Sequence, residues 1–366
     1  MPTLTQFDDF LKPDGPAALV LREWLMPVEG NEGVLFPATY AAGDGFPGGY
    51  NIDTDPTSGK NVALIDSVGS QANRIEPIFK EDRYAKLVPQ IAVKVSDEKE
   101  VTIFEAGHRA GDAIVRCSSL GAELQMAFKE VLKGNATTLA KIAPTSLVFG
   151  VWDSRDTQAK LPRVLASTIR AYDVRQLHRS AQFNPATEYV NDKLLEEPTD
   201  KATKDAYSER GFVHVPATWS HGGVIADGGI RRDATLGLAA VRLLHAGKDP
   251  EKTRALRRYI LGLSLVAFTY NPSGYLRQGC LLVIDPDKQG ECVQVLPTGK
   301  REPFILNHED AVKFATEAAQ AFGVGESKTV SFDTAKAKAD VKGEGDTKKT
   351  AKGKAKAKKS EEPNAE

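Results

Sequence analysis

The chain has 366 residues, of which 41% are hydrophobic and 27% charged, and its formal net charge is −1. This composition is typical of a soluble globular protein that can bury a large core. Three scattered cysteines are too few for a disulfide framework, and no apolar run reaches the roughly twenty residues of a membrane span. The N-terminus also lacks a signal-peptide pattern. We therefore expect a cytoplasmic protein with reduced thiols and no membrane partner.

Strand and helix patterns follow one another along the chain, with turn residues between them. Strands are predicted at 17–25, 33–39, 62–65, 91–95, 101–104, 146–152, 163–174, 281–284 and 292–296. Helices are predicted from Asp66 or Ser67 to Pro77, from Ser118 or Ser119 to Leu132, and over 234–246, 250–270 and 309–322. Asp249 and Asn307 are the expected N-caps of the last two helices.

Two segments rich in turn residues are expected to project from this fold. Residues 42–60 contain five glycines and two prolines, and residues 185–211 are polar and irregular. Beyond Thr334 the chain becomes rich in lysine and poor in large apolar side chains, which predicts a disordered tail over 334–366. Such a tail is either a solubilising extension or a weak tether for a polyanion. The expected organisation is one domain over 1–333 followed by this tail.

Arginine is concentrated in one part of the chain. Thirteen of the 19 arginines lie between Trp152 and Arg277, and residues 151–277 carry 19 Arg and Lys against 14 acidic residues, a net +5. The planar guanidinium group suits bidentate contact with phosphate. The block therefore predicts a polyanion-binding surface, with a solvated, ion-paired face as the alternative.

Within this block, three segments place cations where a polyanion could reach them. Arg155, Lys160 and Arg163 surround a connection between strands, and Arg170 shares one face of the following strand with Tyr172. The third segment, 220–232, is interpreted as a glycine-rich loop whose backbone amides could bind an anion beside Arg231 and Arg232. Its other expected contacts are His221, Gly222, Gly223, Gly228 and Gly229. Arg254, Arg257 and Arg258 share a helical face and are expected to be solvated or to contact a neighbouring subunit.

Motifs of known enzymes are incomplete in this chain. Residues 43–48 match G-x-G-x-x-G in letters, but Pro47 and Gly49 oppose the helix that a dinucleotide site requires. A lone His-Gly-Gly at 221–223 lacks the nucleophile elbow of a hydrolase. Asp153, Asp156 and Asp227 keep open the alternative of a metal-dependent nuclease, although each is close in sequence to an arginine with which it could pair.

Four segments in a fixed order resemble a known family. They are Leu64–Arg74, Trp152–Arg155, Ile169–Val174 and the glycine-rich 220–232. Together they resemble the CRISPR-associated RAMP-superfamily backbone subunit of the type I-U (also called I-G) Cascade complex, over roughly residues 15–320.

The resemblance implies an α+β fold with an RRM-like (ferredoxin-like) core and large loop insertions. It implies a non-catalytic subunit, without cofactor or metal, that polymerises head to tail along a CRISPR RNA and presents it for pairing with target DNA. Expected partners are thus CRISPR RNA, further copies of the chain, other Cascade subunits and, through the guide, target DNA. A metal-dependent ribonuclease of the same superfamily is the alternative, and a general polyanion-binding protein acting through its lysine tail is a third.

Specific residues are expected to line the RNA path in this interpretation. Gln71 and Asn73 would donate hydrogen bonds to the RNA backbone, one of the two projections would act as a thumb that kinks the guide duplex, and the remaining residues would contact phosphates or line the path. The full set is Ser67, Gln71, Asn73, Arg74, Arg155, Lys160, Arg163, Arg170, His221, Gly222, Gly223, Gly228, Gly229, Arg231 and Arg232.

Overall fold

The computed structural model describes residues 4–272 and 274–342, and its mixture of helices and strands confirms the α+β class. The strands are β1 Ala18–Pro27, β2 Thr39–Tyr40, β3 Gly49–Tyr50, β4 Ile52–Thr54, β5 Asn61–Asp66, β6 Ile91–Ser96, β7 Lys99–Thr102, β8 Val151–Trp152, β9 Lys160–Leu161, β10 Leu165–Tyr172, β11 Val174–Phe183, β12 Val215–Ala226, β13 Ile230–Gly237, β14 Tyr275–Arg277, β15 Cys280–Ile284, β16 Glu291–Val295, β17 Arg301–Pro303 and β18 Lys328–Ser331. The α-helices are α1 Val68–Ile75, α2 Ala113–Arg116, α3 Gly121–Leu132, α4 Thr137–Ile142, α5 Thr145–Phe149, α6 Lys201–Glu209, α7 Leu238–Arg242, α8 Pro250–Thr269, α9 His308–Phe322 and α10 Thr334–Lys342.

The largest sheet is antiparallel and has nine strands within the described residues. Its path runs β14-β15-β1-β13-β10-β5-β4, with β16 also paired to β1 and β17 paired to β16. The strands β15 and β16 follow each other in sequence but do not pair with each other. Instead, both pair with β1, β16 along Ala18–Arg22 and β15 along Leu25–Pro27.

One face of this sheet is buried under helices. Leu19 of β1, Leu165 of β10 and Leu236 of β13 belong to a core cluster that also contains nine residues of α8. In α8 every residue from Tyr259 to Phe268 is buried, so the apolar run near 260–268 is a core helix. Gly262 lets α9 approach closely, because a Cβ there would lie 2.8 Å from the Cα of Ala315.

Local signals located several elements well. Ser67 caps α1, Asp249 caps α8 and Asn307 caps α9, each by accepting a backbone N–H bond. The strands predicted at 91–95 and 101–104 correspond to β6 and β7, which form a hairpin to which β18 adds in parallel.

Other local predictions were wrong. Residues 145–149 form α5 and only Val151–Trp152 is a strand, so the predicted strand at 146–152 is mostly helical. The predicted helix at 234–246 begins as β13, which continues to Gly237, and only Leu238–Arg242 is α-helical. The segment 220–232 is not a loop, because it comprises the end of β12, a short turn and the start of β13.

The second predicted projection is the end of a long hairpin. β11 and β12 pair antiparallel from Val174 to Phe183 as a separate two-stranded sheet, and most of β11 is exposed. Residues 184–214 connect the two strands and contain α6. The first predicted projection, 42–60, is partly packed instead: its Gly49 and Tyr50 are buried, and the Tyr50 hydroxyl accepts a hydrogen bond from the Gly223 amide.

The predicted disordered tail, 334–366, begins before the folded part of the chain ends. Thr334–Lys342 is the helix α10, and its Asp340 forms an ion pair with Arg116 while Lys336 Nζ donates to the Arg116 carbonyl at 2.6 Å. The remainder of the tail, 343–366, lies outside the described residues. None of the helices in the described part of the chain is both long and apolar enough to cross a bilayer.

Candidate nucleic-acid interface

The face of the main sheet opposite the helices carries a group of cationic and aromatic side chains. Directly paired residues of neighbouring antiparallel strands lie on the same face. The pairs Arg22↔Asp233, Trp24↔Arg231 and Arg170↔Arg231 therefore share this face, together with Tyr172, two residues beyond Arg170. We call this group, Arg22, Trp24, Arg170, Tyr172 and Arg231, the sheet-face cluster.

Arg231 is the centre of the sheet-face cluster. Its guanidinium carbon lies 5.3 Å from the Trp24 ring centroid and 5.1 Å from that of Tyr172. It also donates to both carboxylate oxygens of Asp233, at 2.9 and 3.1 Å, and to the Tyr172 hydroxyl at 3.0 Å. Burial raises the pKa of Tyr172, and nearby Arg231 opposes this shift. Arg231 thus holds the two rings in place and has little freedom to bind a phosphate as a bidentate partner.

The cations around Arg231 have fewer or longer contacts with carboxylates than Arg231 has. Arg170 donates to the Thr168 hydroxyl at 2.7 Å and has no carboxylate partner among the described residues. Arg22 divides its guanidinium between Asp233 at 3.6 Å and Glu291 at 3.3 Å. Lys288, from the loop between β15 and β16, lies 5.0 Å from the Trp24 ring centroid. Aromatic rings and guanidinium planes on an open sheet are surfaces on which unstacked RNA bases can stack.

A second cationic group surrounds the β8–β9 connection. Trp152 is 56% exposed, and Lys160 Nζ lies 5.4 Å from its ring centroid. Arg155 is exposed and makes no hydrogen bond or ion pair within the described chain. Arg163 donates from Nε to the Phe149 carbonyl at 2.9 Å, and burial together with Arg109 lowers its pKa. The expected cations of this connection are therefore at the surface, and Arg163 is the most constrained of them.

The base of the β11–β12 hairpin adds a third exposed group. Trp219 is 77% exposed, has a positive φ of 56° and packs edge-on against His178 at 5.2 Å. Arg179 is exposed on the paired strand, while Arg175 forms a bidentate pair with Asp227. The pairing register shifts on both sides of Arg179, as in a β-bulge. His221 packs on the Tyr50 ring, with centroids 4.8 Å apart.

Gln71 and Arg74 were expected to face RNA, but a buried carboxylate engages both, and Gln71 is fully buried. Asp66 is 1% exposed and accepts from Gln71 Nε2 at 2.7 Å, Arg74 Nε at 3.1 Å and Arg277 at 3.1 Å. Gln71 is fully buried and also accepts from the Ser167 hydroxyl at 2.9 Å. We call Asp66, Gln71, Arg74, Ser167 and Arg277 the Asp66 network. A buried charge needs such partners, which explains why these side chains turn inward.

Arg232 and the glycine amides were also assigned wrongly. Arg232 is 5% exposed and pairs with Glu23 at 2.5 Å on the helix-covered face. The amides of Gly223, Gly228 and Gly229 donate to Tyr50, Tyr172 and Ala226, at 3.1, 2.9 and 3.0 Å. Gly222 lies in β12 beside the His178 backbone, where a Cβ would approach to 2.8 Å. The glycines therefore serve close packing of strands and are not a free anion-binding loop.

The two remaining predicted residues lie at opposite ends of α1. Ser67 caps the helix by accepting from the Ser70 amide at 3.2 Å, whereas Asn73 is exposed and remains available. A Cβ placed on Gly69 would lie 4.0 Å from an Arg163 nitrogen. The N-terminal end of α1 is thus close to Arg163, which follows β9.

The aspartates of the alternative nuclease do not form a cluster. Asp153 is buried and accepts from the amides of Asp156 and Thr157, at 3.3 and 2.8 Å, and from the Thr157 hydroxyl at 2.6 Å. Asp227 is paired with Arg175 on the hairpin. Burial raises the pKa of Asp156, with the nearby Asp153 as the next cause. These contacts account for Asp153 and Asp227 as structural residues.

Sequence reasoning missed Arg22, Trp24, Trp152 and Trp219. The alternation of Val20, Arg22 and Trp24 with Leu19, Leu21 and Leu25 in β1 is a period-two signal that could have placed the first two on an open face. Trp152 was noted within a motif but not as an exposed ring. Nothing local distinguishes an exposed tryptophan such as Trp219 from a core one.

A family model matches part of the chain, which is therefore similar to a family of CRISPR-associated proteins. The family is described as CRISPR-associated protein GSU0053, and the match covers residues 19–176, from β1 into β11. This segment contains Trp24, Trp152, Arg170 and Tyr172, and the family supports a role in CRISPR defence. The search of curated proteins found no match.

Proposed function

We propose that the chain is a non-catalytic RNA-binding backbone subunit of a type I Cascade complex, of the I-U/I-G subtype and the RAMP superfamily. In this role it binds CRISPR RNA without reading its sequence, contacts further copies of itself and other Cascade subunits in the cytoplasm, and leaves the guide open to target DNA. The proposal rests on the family match over 19–176 together with the observation that carries it, the sheet-face cluster.

The sheet-face cluster supports RNA over other polyanions. Trp24 and Tyr172 present rings to the open face, with Arg22, Arg170 and Lys288 around them. Ring stacking requires unstacked bases, which single-stranded RNA provides and a duplex does not. Contacts of Arg and Lys with phosphate would add affinity that is independent of sequence.

Two structural assignments belong to the same proposal. The antiparallel sheet with α1 and α8 on one face would be the RRM-like core. The β11–β12 hairpin, with exposed Trp219 and Arg179, would be the thumb that kinks the guide duplex, because 42–60 is partly packed against the hairpin base.

The test replaces cations that have no carboxylate partner. The triple variant Arg155→Gln, Lys160→Gln and Arg170→Gln should weaken binding to a labelled single-stranded RNA and reduce the slope of log affinity against log salt by about 2, at about 0.7 per lost phosphate contact. Fluorescence anisotropy at several salt concentrations measures both quantities.

The matched control removes three exposed lysines elsewhere, Lys99→Gln, Lys129→Gln and Lys133→Gln, and should leave the affinity and slope as in the unmodified chain. If both triple variants bind RNA equally well, the interface is assigned wrongly. Incubation of the same RNA with Mg²⁺ tests the non-catalytic part: cleavage that disappears in Asp156→Asn would establish a ribonuclease instead.

A further inference from the structure

A pocket of about 250 Å³ lies on the helix-covered face of the main sheet, at the edge where β14 pairs with β15. Its apolar walls include Leu25 of β1, Ile169 of β10 and Leu282 of β15, all of them buried. Ile284, which is 49% exposed, also lines it and marks its side nearest to solvent. We call it the β15 pocket. A cavity of about 150 Å³ can hold benzene, so the β15 pocket has room for a ring with polar substituents.

The polar wall of the β15 pocket is a buried ion pair. Arg232 lines the pocket with a side chain that is 6% exposed, and its Nη2 lies 2.5 Å from Glu23 Oε2. Arg232 Nε is buried and has no hydrogen-bond acceptor among the described residues. Glu23 lines the pocket too, and Arg232 is its only ion-pair partner in the part of the chain that the structure describes. Because a guanidinium has five N–H donors and a carboxylate has two acceptor oxygens, the pair can still donate and accept.

Gln71, a further buried polar residue of the wall, is already engaged. It donates to Asp66 at 2.7 Å and accepts from the Ser167 hydroxyl at 2.9 Å. The ion pair of Arg232 with Glu23 is therefore the buried part of the wall that can recognise a ligand.

The charge and the donors of this ion pair decide which class of ligand fits. Glu23 balances the charge of Arg232, so a phosphate would meet a carboxylate as well as a guanidinium. An apolar side chain would match the walls but would bring neither an acceptor for Arg232 nor a donor for Glu23. A purine or pyrimidine base carries both on the edge of a flat ring whose faces pack against apolar groups.

We infer that the β15 pocket binds one unpaired purine or pyrimidine base. Arg232 would donate to a carbonyl or ring nitrogen of the base, Glu23 would accept from an amino group or ring N–H, and the ring would pack against the apolar walls. The base can belong to a free nucleoside or to single-stranded RNA, since the edge is the same. No residue of the sheet-face cluster lines this pocket, which is on the other face of the sheet. The inference therefore goes beyond the proposed function and does not depend on it.

Titration with ribonucleosides tests the pocket without RNA. Isothermal calorimetry of the full chain should show saturable binding of at least one of adenosine, guanosine, cytidine and uridine, and no binding of ribose 5-phosphate, which lacks a base. Ile284→Trp places a larger side chain at the pocket and should weaken that binding about tenfold. The matched control is Ile305→Trp, the same exchange at a position that is 95% exposed and outside the pocket, and it should bind as the unmodified chain does.

A second variant tests the polar wall. Arg232→Lys keeps a positive charge beside Glu23 but loses the guanidinium, and it should weaken nucleoside binding about tenfold. Circular dichroism checks that this variant folds, and Ile284→Trp tests the pocket independently because Ile284 is half-exposed.

Three results would overturn the inference. They are the absence of nucleoside binding, equal binding of ribose 5-phosphate, and nucleoside binding that Ile284→Trp leaves unchanged. N-acetyl-leucinamide is the probe for the competing occupant. If it binds where no nucleoside does, and Ile284→Trp abolishes its binding, the pocket takes a segment of a protein and not a base.

Anisotropy with a labelled single-stranded RNA distinguishes the two sources of the base. If RNA supplies it, Ile284→Trp weakens RNA binding and the nucleoside that binds tightest competes with RNA. If a free nucleoside is the ligand, neither has an effect on RNA binding. The triple variant at Arg155, Lys160 and Arg170 should bind nucleosides like the unmodified chain, so this inference and the proposed function can fail separately.

Discussion

Two adjacent arginines of β13 have opposite roles because consecutive side chains of a strand point to opposite faces. Arg231 lies on the open face between Trp24 and Tyr172, and Arg232 lies on the buried face against Glu23. The same rule separates Arg170 from Ser167, which donates to buried Gln71. At the residue scale, the type of side chain predicts what it can bind, but the face decides whether it is available.

The Asp66 network provides the prediction at this scale. Asp66→Ala should lower the free energy of unfolding by about 3 kcal/mol, because it leaves Arg74 and Arg277 without their buried carboxylate and Gln71 without an acceptor. Urea denaturation measures the change. Asn73→Ala, on the exposed side of α1, is the control and should change stability by no more than about 0.5 kcal/mol. Equal stability of the two variants would show that Asp66 does not anchor the helix.

At the scale of elements, glycine misled the sequence interpretation of β12. Gly222 and Gly223 resemble a loop in composition, yet they lie within a strand that approaches other backbone closely. A Cβ on Gly223 would lie 2.5 Å from the Val34 side chain and 2.6 Å from the Leu35 carbonyl oxygen. Gly223 also has a φ of 96°, which other residues rarely adopt. A glycine can therefore indicate a strand that another backbone approaches closely, and not only a turn or loop.

The β11–β12 hairpin provides the prediction at the scale of elements. Replacing 184–214 by Asn-Gly should join Phe183 to Val215, which are paired directly, through a two-residue turn. No residue of 184–214 is among the buried hydrophobic residues of the core, so the thermal midpoint should change by less than about 3 °C. Circular dichroism measures this. We expect RNA binding to persist, and a large loss of stability would show that residues 184–214 support the core.

For the whole molecule, the charges are sorted more finely than the arginine count suggests. The block 151–277 has a net charge of +5 but includes the acidic segment 184–214, whose net charge is −3. Several of its arginines are held by internal partners, such as Asp8 for Arg258 and Asp66 for Arg277. Both interpretations of this block apply, because some of its arginines are ion-paired and others are exposed. Near the C-terminus, α10 is docked through Arg116, so a truncation at 333 removes folded structure as well as the lysine-rich extension.

At the scale of the whole molecule, two truncations test whether α10 is part of the folded structure. A chain ending at Lys342 should keep Cys117 protected, since that thiol is 3% exposed and donates to Asp340 at 3.4 Å. A chain ending at Asp333 lacks α10 and should react faster at Cys117. The rate of thiol modification under native conditions compares them, with Cys117→Ala in each chain to identify the signal. Equal rates would mean that α10 does not cover the thiol.

How well the sequence predicts a feature of this protein depends on how far apart in the chain the residues that determine the feature are. Helix caps, strand alternation and the concentration of arginine depend on neighbouring residues, and they located β1, β5, β10, α1, α8 and α9 and suggested a nucleic-acid surface. The resemblance to a CRISPR-associated protein also came from local motifs, and the family match confirms it at that level.

Only the tertiary structure decided which cations are exposed. The contacts that engage Arg258 and Arg277 join residues that are 250 and 211 positions apart. The register of β1, β13 and β10 likewise brings Trp24, Arg231 and Arg170 together from three distant segments. No window along the chain contains both partners of such a contact. Composition and local pattern therefore determined the elements and the class of partner, whereas strand pairing and burial determined the site, because they depend on residues that meet only in the folded chain.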